Sequence, residues 1–369
     1  MKKVLALLLS LTLVIAMFTA CGKKNETEET TTTPTEAPVA TEAPAATEEP
    51  AATEAPATDA AGAKTGLAIV SNIAKSKDAA ADADGTAEAY SVAVAVLVGA
   101  DGKILDCKLD AIQSKVNFST EGKLTTDLAA EIKTKQELGT EYGMVKASSI
   151  GKEWNEQANA FAAYVIGKTV DEVKGIAVNE EGATTDADLA ASVTIKLGDY
   201  IGGIEKAVAS AQELGAKEGD KLGLAITSDV SGSTDATADA AGLAKAYNYY
   251  TAVSVGADGK ITSSVLDASI VEVNFDTTGK ITTDLASTFQ SKQELKDAYG
   301  MKKASAIGKE WFEQANAFAT YVTGKTLDEV NGMTVTEDGL AGDADLASSV
   351  TVHVGDFIKV INKGVTNAQ

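Results

Sequence analysis

Two stretches of the chain bring a carboxylate and two hydroxyls into close order. They are Asp186-Ala187-Asp188-Leu189-Ala190-Ala191-Ser192-Val193-Thr194 and Asp343-Ala344-Asp345-Leu346-Ala347-Ser348-Ser349-Val350-Thr351. Asp188, Ser192 and Thr194, with Asp345, Ser349 and Thr351, are therefore the first candidates for chemistry, because hydroxyl oxygens can bind a ligand or accept a modification. Most other constellations are missing. His353 is the only histidine and aligns with Lys196, so it cannot be a catalyst common to both stretches. A His-based zinc site and a shared Ser-His or Cys-His nucleophile are excluded with it, and no metal site is expected. Gly-rich loops of the dinucleotide or P-loop kind do not occur. The net charge of −21 argues against nucleic acid and against a basic membrane-binding face, and leaves most carboxylates as solvated surface.

These stretches belong to a duplication. Residues match at a constant offset of 157 without a gap: Gly66-Leu67-Ala68-Ile69 returns as Gly223-Leu224-Ala225-Ile226, and Gly151-Lys152-Glu153-Trp154 as Gly308-Lys309-Glu310-Trp311. So long a period is a repeated domain and not a solenoid unit. The expected organisation is a signal over residues 1–20, a tether over 21–64, and two domains over 65–215 and 220–369.

Within a copy, Val92, Val94, Val96 and Val98 alternate with Ala93, Ala95 and Leu97, and Ala100-Asp101-Gly102 turns the chain towards Ile104–Leu109. This predicts a hairpin, with Val116–Phe118 as a short added strand. Trp154, Ala158, Phe161 and Val165 fall on one helical face that Gly167 can end. Thr169 with Glu172, and Thr326 with Glu329, read as capping boxes of a second helix. A strand over Ser192–Leu197 and a helix from Asp199 complete an α+β unit. In that strand Val193, Ile195 and Leu197 would face inward and Ser192, Thr194 and Lys196 outward.

The chain begins with Lys2 and Lys3, an apolar run from Val4 to Phe18, and small residues before Cys21. That is the layout of a secretory signal, near the lower limit of about 17 apolar residues for a bilayer span. Residues 23–63 are nearly all Thr, Glu, Ala and Pro, and contain all five prolines. Such a composition cannot bury enough apolar surface to offset its ordering entropy. Cys107 then has no disulfide partner, and Ser264 in the other copy argues against an essential thiol.

Phe18-Thr19-Ala20-Cys21-Gly22 resembles the lipobox of bacterial lipoproteins, which implies acylation of Cys21 and anchoring at the extracytoplasmic face of the cell membrane. Asp345-Leu346-Ala347-Ser348-Ser349-Val350-Thr351 resembles the flavinylation motif of FMN-binding domains, Asp-x-x-(Ser/Thr)-Gly-Ala-Thr, whose last threonine receives FMN as a phosphoester. Ser-Val replaces Gly-Ala in both copies, and Ala191 stands at the Ser/Thr position of the first. The literal Gly182-Ala183-Thr184 is set aside, because Ala341 replaces its threonine in the second copy. Signal, tether and tandem domains together resemble Gram-positive surface flavoproteins of the pheromone-lipoprotein type. That resemblance implies two covalent FMN groups on Thr194 and Thr351, a flavin transferase for maturation, a membrane electron donor and extracellular electron acceptors. It implies an electron carrier and not a substrate-converting enzyme. Tyr142 with Tyr299 are candidates for packing on the flavin, Lys196 or His353 for lying near its phosphate, and Asn117 with Asn274 for bonding its edge. Trp154 and Trp311 are expected in the core. The alternatives are a non-redox surface lipoprotein holding a solute or partner, and the precursor of a signal-derived peptide.

Overall fold

In each half of the molecule, a long hairpin with one added edge strand makes a three-stranded antiparallel sheet. In the computed structural model, which describes residues 60–368, these are β1 (Lys64–Asn72), β2 (Gly85–Val98) and β3 (Ile104–Phe118), and then β4 (Lys221–Asp229), β5 (Gly242–Val255) and β6 (Ile261–Phe275). The signal segment, Cys21 and the tether as far as residue 59 lie outside the described residues. The predicted hairpin is present, with Val96 opposite Cys107 and Val92 opposite Ala111. Val116–Phe118 is not a separate strand. It is the end of β3, still paired with Gly85–Ala87, because nothing in the sequence from Leu109 to Val116 breaks the extended run.

The helices follow in the same order in both halves: α1 (Lys135–Leu138), α2 (Trp154–Val165), α3 (Val170–Lys174), α4 (Ala187–Ala190) and α5 (Gly198–Ala209), then α6 (Lys292–Leu295), α7 (Trp311–Val322), α8 (Leu327–Asn331), α9 (Ala344–Ala347) and α10 (Gly355–Asn367). The fold is α+β. Helix α2 buries Trp154, Gln157, Ala158, Phe161, Ala162 and Val165, which is the face its spacing predicts. Both capping boxes of α3 and α8 form as read, through Thr169 with Glu172 and Thr326 with Glu329. Among the described residues, no helix is long and apolar enough to cross a membrane.

Strand β2 is apolar on both faces, and the two faces have different partners. Val92, Val94, Val96 and Val98 pack with Phe161 and Val165 of α2 and Ile204 and Ala207 of α5. Ala93, Ala95 and Leu97 instead join Leu222, Leu224, Ile226, Tyr250 and Ala252 of the second half. The layers thus run helices, sheet, sheet, helices, and the two copies share one central core. A second cluster shared by the copies holds Phe118 and Phe275, stacked with centroids 4.1 Å apart. Contacts around this seam are reciprocal, as in a two-fold dimer made within one chain. Ala79 N donates to Gly279 O and Ala236 N to Gly122 O, while Lys206 pairs with Glu294 and Lys363 with Glu137, each at 2.6 Å. Gly66 is required by the packing: a Cβ there would lie 2.0 Å from the Ala207 carbonyl oxygen of α5, as one on Gly223 would from that of Gly364.

Candidate functional site

The strand expected over Ser192–Leu197 is absent. Those residues form a loop between α4 and α5, and the Asp-x-x portion of the motif is a helical turn, capped by Asp186, whose Oδ1 accepts from Leu189 N at 2.9 Å. The alternation was real as burial: Val193 and Leu197 reach the core. It did not produce a strand because no sheet edge meets this backbone. Thr194 N is instead satisfied by a side chain, the Gln157 Oε1, at 2.8 Å, and Leu197 N by Gly182 O at 2.8 Å. Thr194 therefore does not stand on an exposed strand face; it is half-buried and held from the inside.

Gln157 on α2 is the residue that does this, and the sequence reading missed it. Its side chain is fully buried, Nε2 donates to Ser148 Oγ at 3.1 Å and Lys152 O at 3.0 Å, and Oε1 accepts from both the N–H and the hydroxyl of Thr194. Gln314 repeats the arrangement: Oε1 accepts from Thr351 N at 2.8 Å, Thr351 Oγ1 at 3.2 Å and Val352 N at 3.2 Å. A buried amide so constrained fixes the position and direction of one hydroxyl. Glu153 and Glu310, which begin α2 and α7, are also buried; each accepts two backbone N–H groups, Glu153 from Met144 and Val145, Glu310 from Met301 and Lys302. They tie the helix start to the loop that carries Tyr142 or Tyr299.

Thr351 opens into a cavity of about 300 Å³ lined by Tyr247, Tyr249, Lys292, Tyr299, Met301, Trp311, Val352 and His353. Strand β5 supplies two tyrosines, α6 the lysine, the following turn Tyr299, α7 the tryptophan and the motif loop the threonine. Tyr247 and Tyr249 stack at 4.6 Å. Burial pushes the Tyr247 hydroxyl up to about 12 and Tyr249 higher still, so both stay neutral donors. Lys292 Nζ sits 4.4 Å from the Tyr247 centroid, 4.3 Å from Tyr299 and 4.9 Å from Trp311. In the first copy Lys135 occupies the same box of Tyr90, Tyr142 and Trp154, at 4.8, 4.8 and 5.2 Å.

The other candidates divide. Tyr299 and His353 line the cavity with Thr351. Trp311 is buried, as expected of a core residue, yet one edge forms the cavity wall. Ser192 and Ser349 turn back to the Leu189 and Leu346 carbonyls at 3.2 Å, and Asp188 and Asp345 are exposed in the first turn of their helices. Neither pair points into the site. Asn117 closes a strand end, its Oδ1 accepting from Thr86 Oγ1 at 2.8 Å. Thr184 is buried and its Oγ1 accepts from Asp186 N at 3.1 Å, a turn role. Cys107 is a buried free thiol, raised well above its ordinary pKa by burial. Repetition was the available signal for the missed residues: Lys-Gln-Glu-Leu recurs at 135–138 and 292–295, and Glu-Gln-Ala-Asn-Ala-Phe at 156–161 and 313–318.

No family model and no solved structure matches the sequence. A stretch of 42 residues is 50% identical to a protein named chlorophenol reductase from Desulfitobacterium hafniense. It spans 11% of this chain and 13% of that protein, a short local likeness.

Proposed function

We propose that the protein is a lipid-anchored surface electron carrier with covalent FMN on each copy of an FMN-binding-type domain, joined through phosphoesters at Thr194 and Thr351. Electrons would come from a membrane donor and leave to extracellular acceptors, with a flavin transferase completing maturation. The observation that carries this reading is the setting of Thr351: a hydroxyl fixed by a buried glutamine at the rim of an aromatic cavity that also holds a cation. The residues fit the group. Flat rings with a cation among them suit an isoalloxazine, and His353 at the rim beside Thr351 suits its phosphate. A volume of about 300 Å³ lies at the lower end for ligand pockets. The flavin supplies the redox chemistry, while the protein contributes attachment, orientation and electrostatics. Gln314 holds the Thr351 oxygen at the surface of the cavity, and the tyrosines exclude water from one side of it. Lipidation at Cys21 and the extracytoplasmic location are part of the same proposal and rest on the sequence.

The test is chemical. Protein co-expressed with a flavin transferase should be yellow, stay yellow after denaturation, and gain the mass of two FMN minus two waters. Thr194→Ala and Thr351→Ala should each remove one flavin and together remove both, with stability changed by about 1 kcal/mol or less, since Thr N–H still reaches the glutamine. Thr184→Ala should keep two. Colourless protein of unmodified mass would instead favour a solute-binding lipoprotein. That rival draws on two related clefts at the seam of the copies, of about 550 and 350 Å³, with Asp110 and Asp267 at equivalent places in them.

A further inference from the structure

Lys135 and Lys292 are expensive residues with no structural return in sight. Both are buried, at 5% and 3% exposure, and among the described residues neither has a carboxylate within ion-pair distance. The π-faces of three rings offset part of the lost hydration, and Lys292 Nζ also donates to the Tyr247 hydroxyl, a neutral acceptor that leaves the charge without a counter-ion. Each lysine is also the first residue of its helix, α1 or α6, where the backbone N–H groups disfavour a cation. Capping boxes through Thr134 and Ser291 fix the backbone from which each lysine projects. Desolvation lowers Lys135 to about 8 and Lys292 to about 7. The buried acids that favour the lysine charges are engaged elsewhere: Glu88, beside Lys135, holds Gln113 Nε2 and Lys115, while Asp110 and Asp267 accept from backbone donors, Ala111 and Gln136 for the first, Ala268 and Gln293 for the second. The walls around the two lysines differ, with Val92 and Tyr200 in one copy against Tyr249 and Phe357 in the other. The lysine and its three rings do not.

A cation facing a cavity with no counter-ion, as Lys292 does, is a site for an anion, and Lys135 sits in the equivalent box of the first copy. We infer that Lys292 and Lys135 are positioning residues for the groups on Thr351 and Thr194, each placing its ammonium against the electron-accepting ring and stabilising the negative charge that reduction adds. This rests on the flavin reading above. The couple concerned takes two electrons and, near neutral pH, one proton from water, so one negative charge remains on the ring beside the ammonium. An anion seated there supplies the partner the box lacks and raises the lysine's proton affinity in turn.

The experiment uses flavinylated protein carrying Thr194→Ala, so that a single flavin is read, titrated with dithionite near neutral pH. Lys292→Met should keep the covalent flavin and lower the reduced-to-oxidised ratio at a given applied potential at least tenfold, about 30 mV for a two-electron couple. Lys292→Arg should restore the ratio to within threefold of the parent. Replacing a buried unpaired charge with an apolar side chain of similar length should not unfold the protein, and Lys292→Gln serves as a second variant if methionine packs badly. A yellow Lys292→Met protein with the parent's potential, or one whose midpoint of unfolding moves while its potential does not, would overturn the inference alone. Colourless parent protein would overturn it together with the reading it rests on.

Discussion

The two halves superimpose in plan and differ in how the wall of the threonine site is built. In the first, Tyr200 on α5 puts its hydroxyl between Trp154 Nε1 at 3.1 Å and Tyr90 OH at 3.3 Å, a polar lock behind the lysine box. In the second, Phe357 takes that place and can accept nothing. It meets Trp311, Phe318 and Tyr249 edge-on at 5.7, 5.3 and 5.9 Å. The missing hydroxyl reappears on Tyr249, where the first copy has Val92. A hydroxyl has moved from helix to strand while the lysine, its rings, the glutamine and the threonine have stayed. After duplication, packing around a site can be exchanged piece by piece, whereas groups that jointly aim one hydroxyl and one cation cannot. Lys196 and His353, exposed beside their threonines, vary as rim residues can.

The largest expected effect tests the conserved part of that comparison. Gln314→Ala removes the acceptor of three donors and Gln157→Ala that of two, and each leaves a cavity. Each should cost about 3 kcal/mol in equilibrium denaturation, Gln314→Ala the more, and abolish flavin at its own threonine only. Equal loss of flavin at both threonines from one substitution would break the picture of two separately aimed sites.

Next comes a pH effect in which the halves should agree in sign. Burial raises Asp110 and Asp267 from 3.8 to about 7. A carboxyl whose folded pKa is raised binds more protons folded than unfolded between those values, so it draws stability down as pH climbs from about 4 to 7, and the loss is complete above that. Asp267→Asn mimics the protonated form and keeps an oxygen for the Ala268 and Gln293 N–H groups. It should leave stability near that of the parent at pH 4 and exceed it by up to a few kcal/mol at pH 8. Asp110→Asn should do the same by a smaller amount, because Lys363 favours the Asp110 charge while Glu294 disfavours that of Asp267. Urea titrations at the two pH values decide it.

The smallest effect concerns a position where the halves have diverged without compensation. Gly139 and Lys296 both adopt φ 47°, with ψ −118° and −121°, a left-handed conformation that strains any residue with a Cβ. Lys296→Gly should stabilise the protein by about 1 kcal/mol, and Gly139→Ala destabilise it by a similar amount or more. A neutral Lys296→Gly, measured by thermal unfolding, would show that the second half has relaxed around the lysine.

Much of the local structure was legible because it depends on neighbours in the chain. The alternating valines of β2, the face of α2 and the boxes at Thr169 and Thr326 are short-range patterns of side-chain direction and backbone donors. The exact offset of 157 residues likewise fixed that two equal units exist. The threonines were picked out by their resemblance to a flavinylation motif, and their role belongs to the proposal. Sequence did not determine what lies opposite. Val193 to Leu197 carried strand-like alternation, and only the absence of an adjoining edge, with Gln157 in its place, made it a loop. Ala93, Ala95 and Leu97 said that β2 is buried on both sides; that the second burial is against the other copy follows from the pairing of whole sheets. Tyr247, Lys292, Trp311 and Thr351 lie as far as 104 positions apart in the chain. Their meeting is set by sheet order and by helices crossing over it, long-range contacts formed only when the entire half collapses on its core, and no local propensity encodes them.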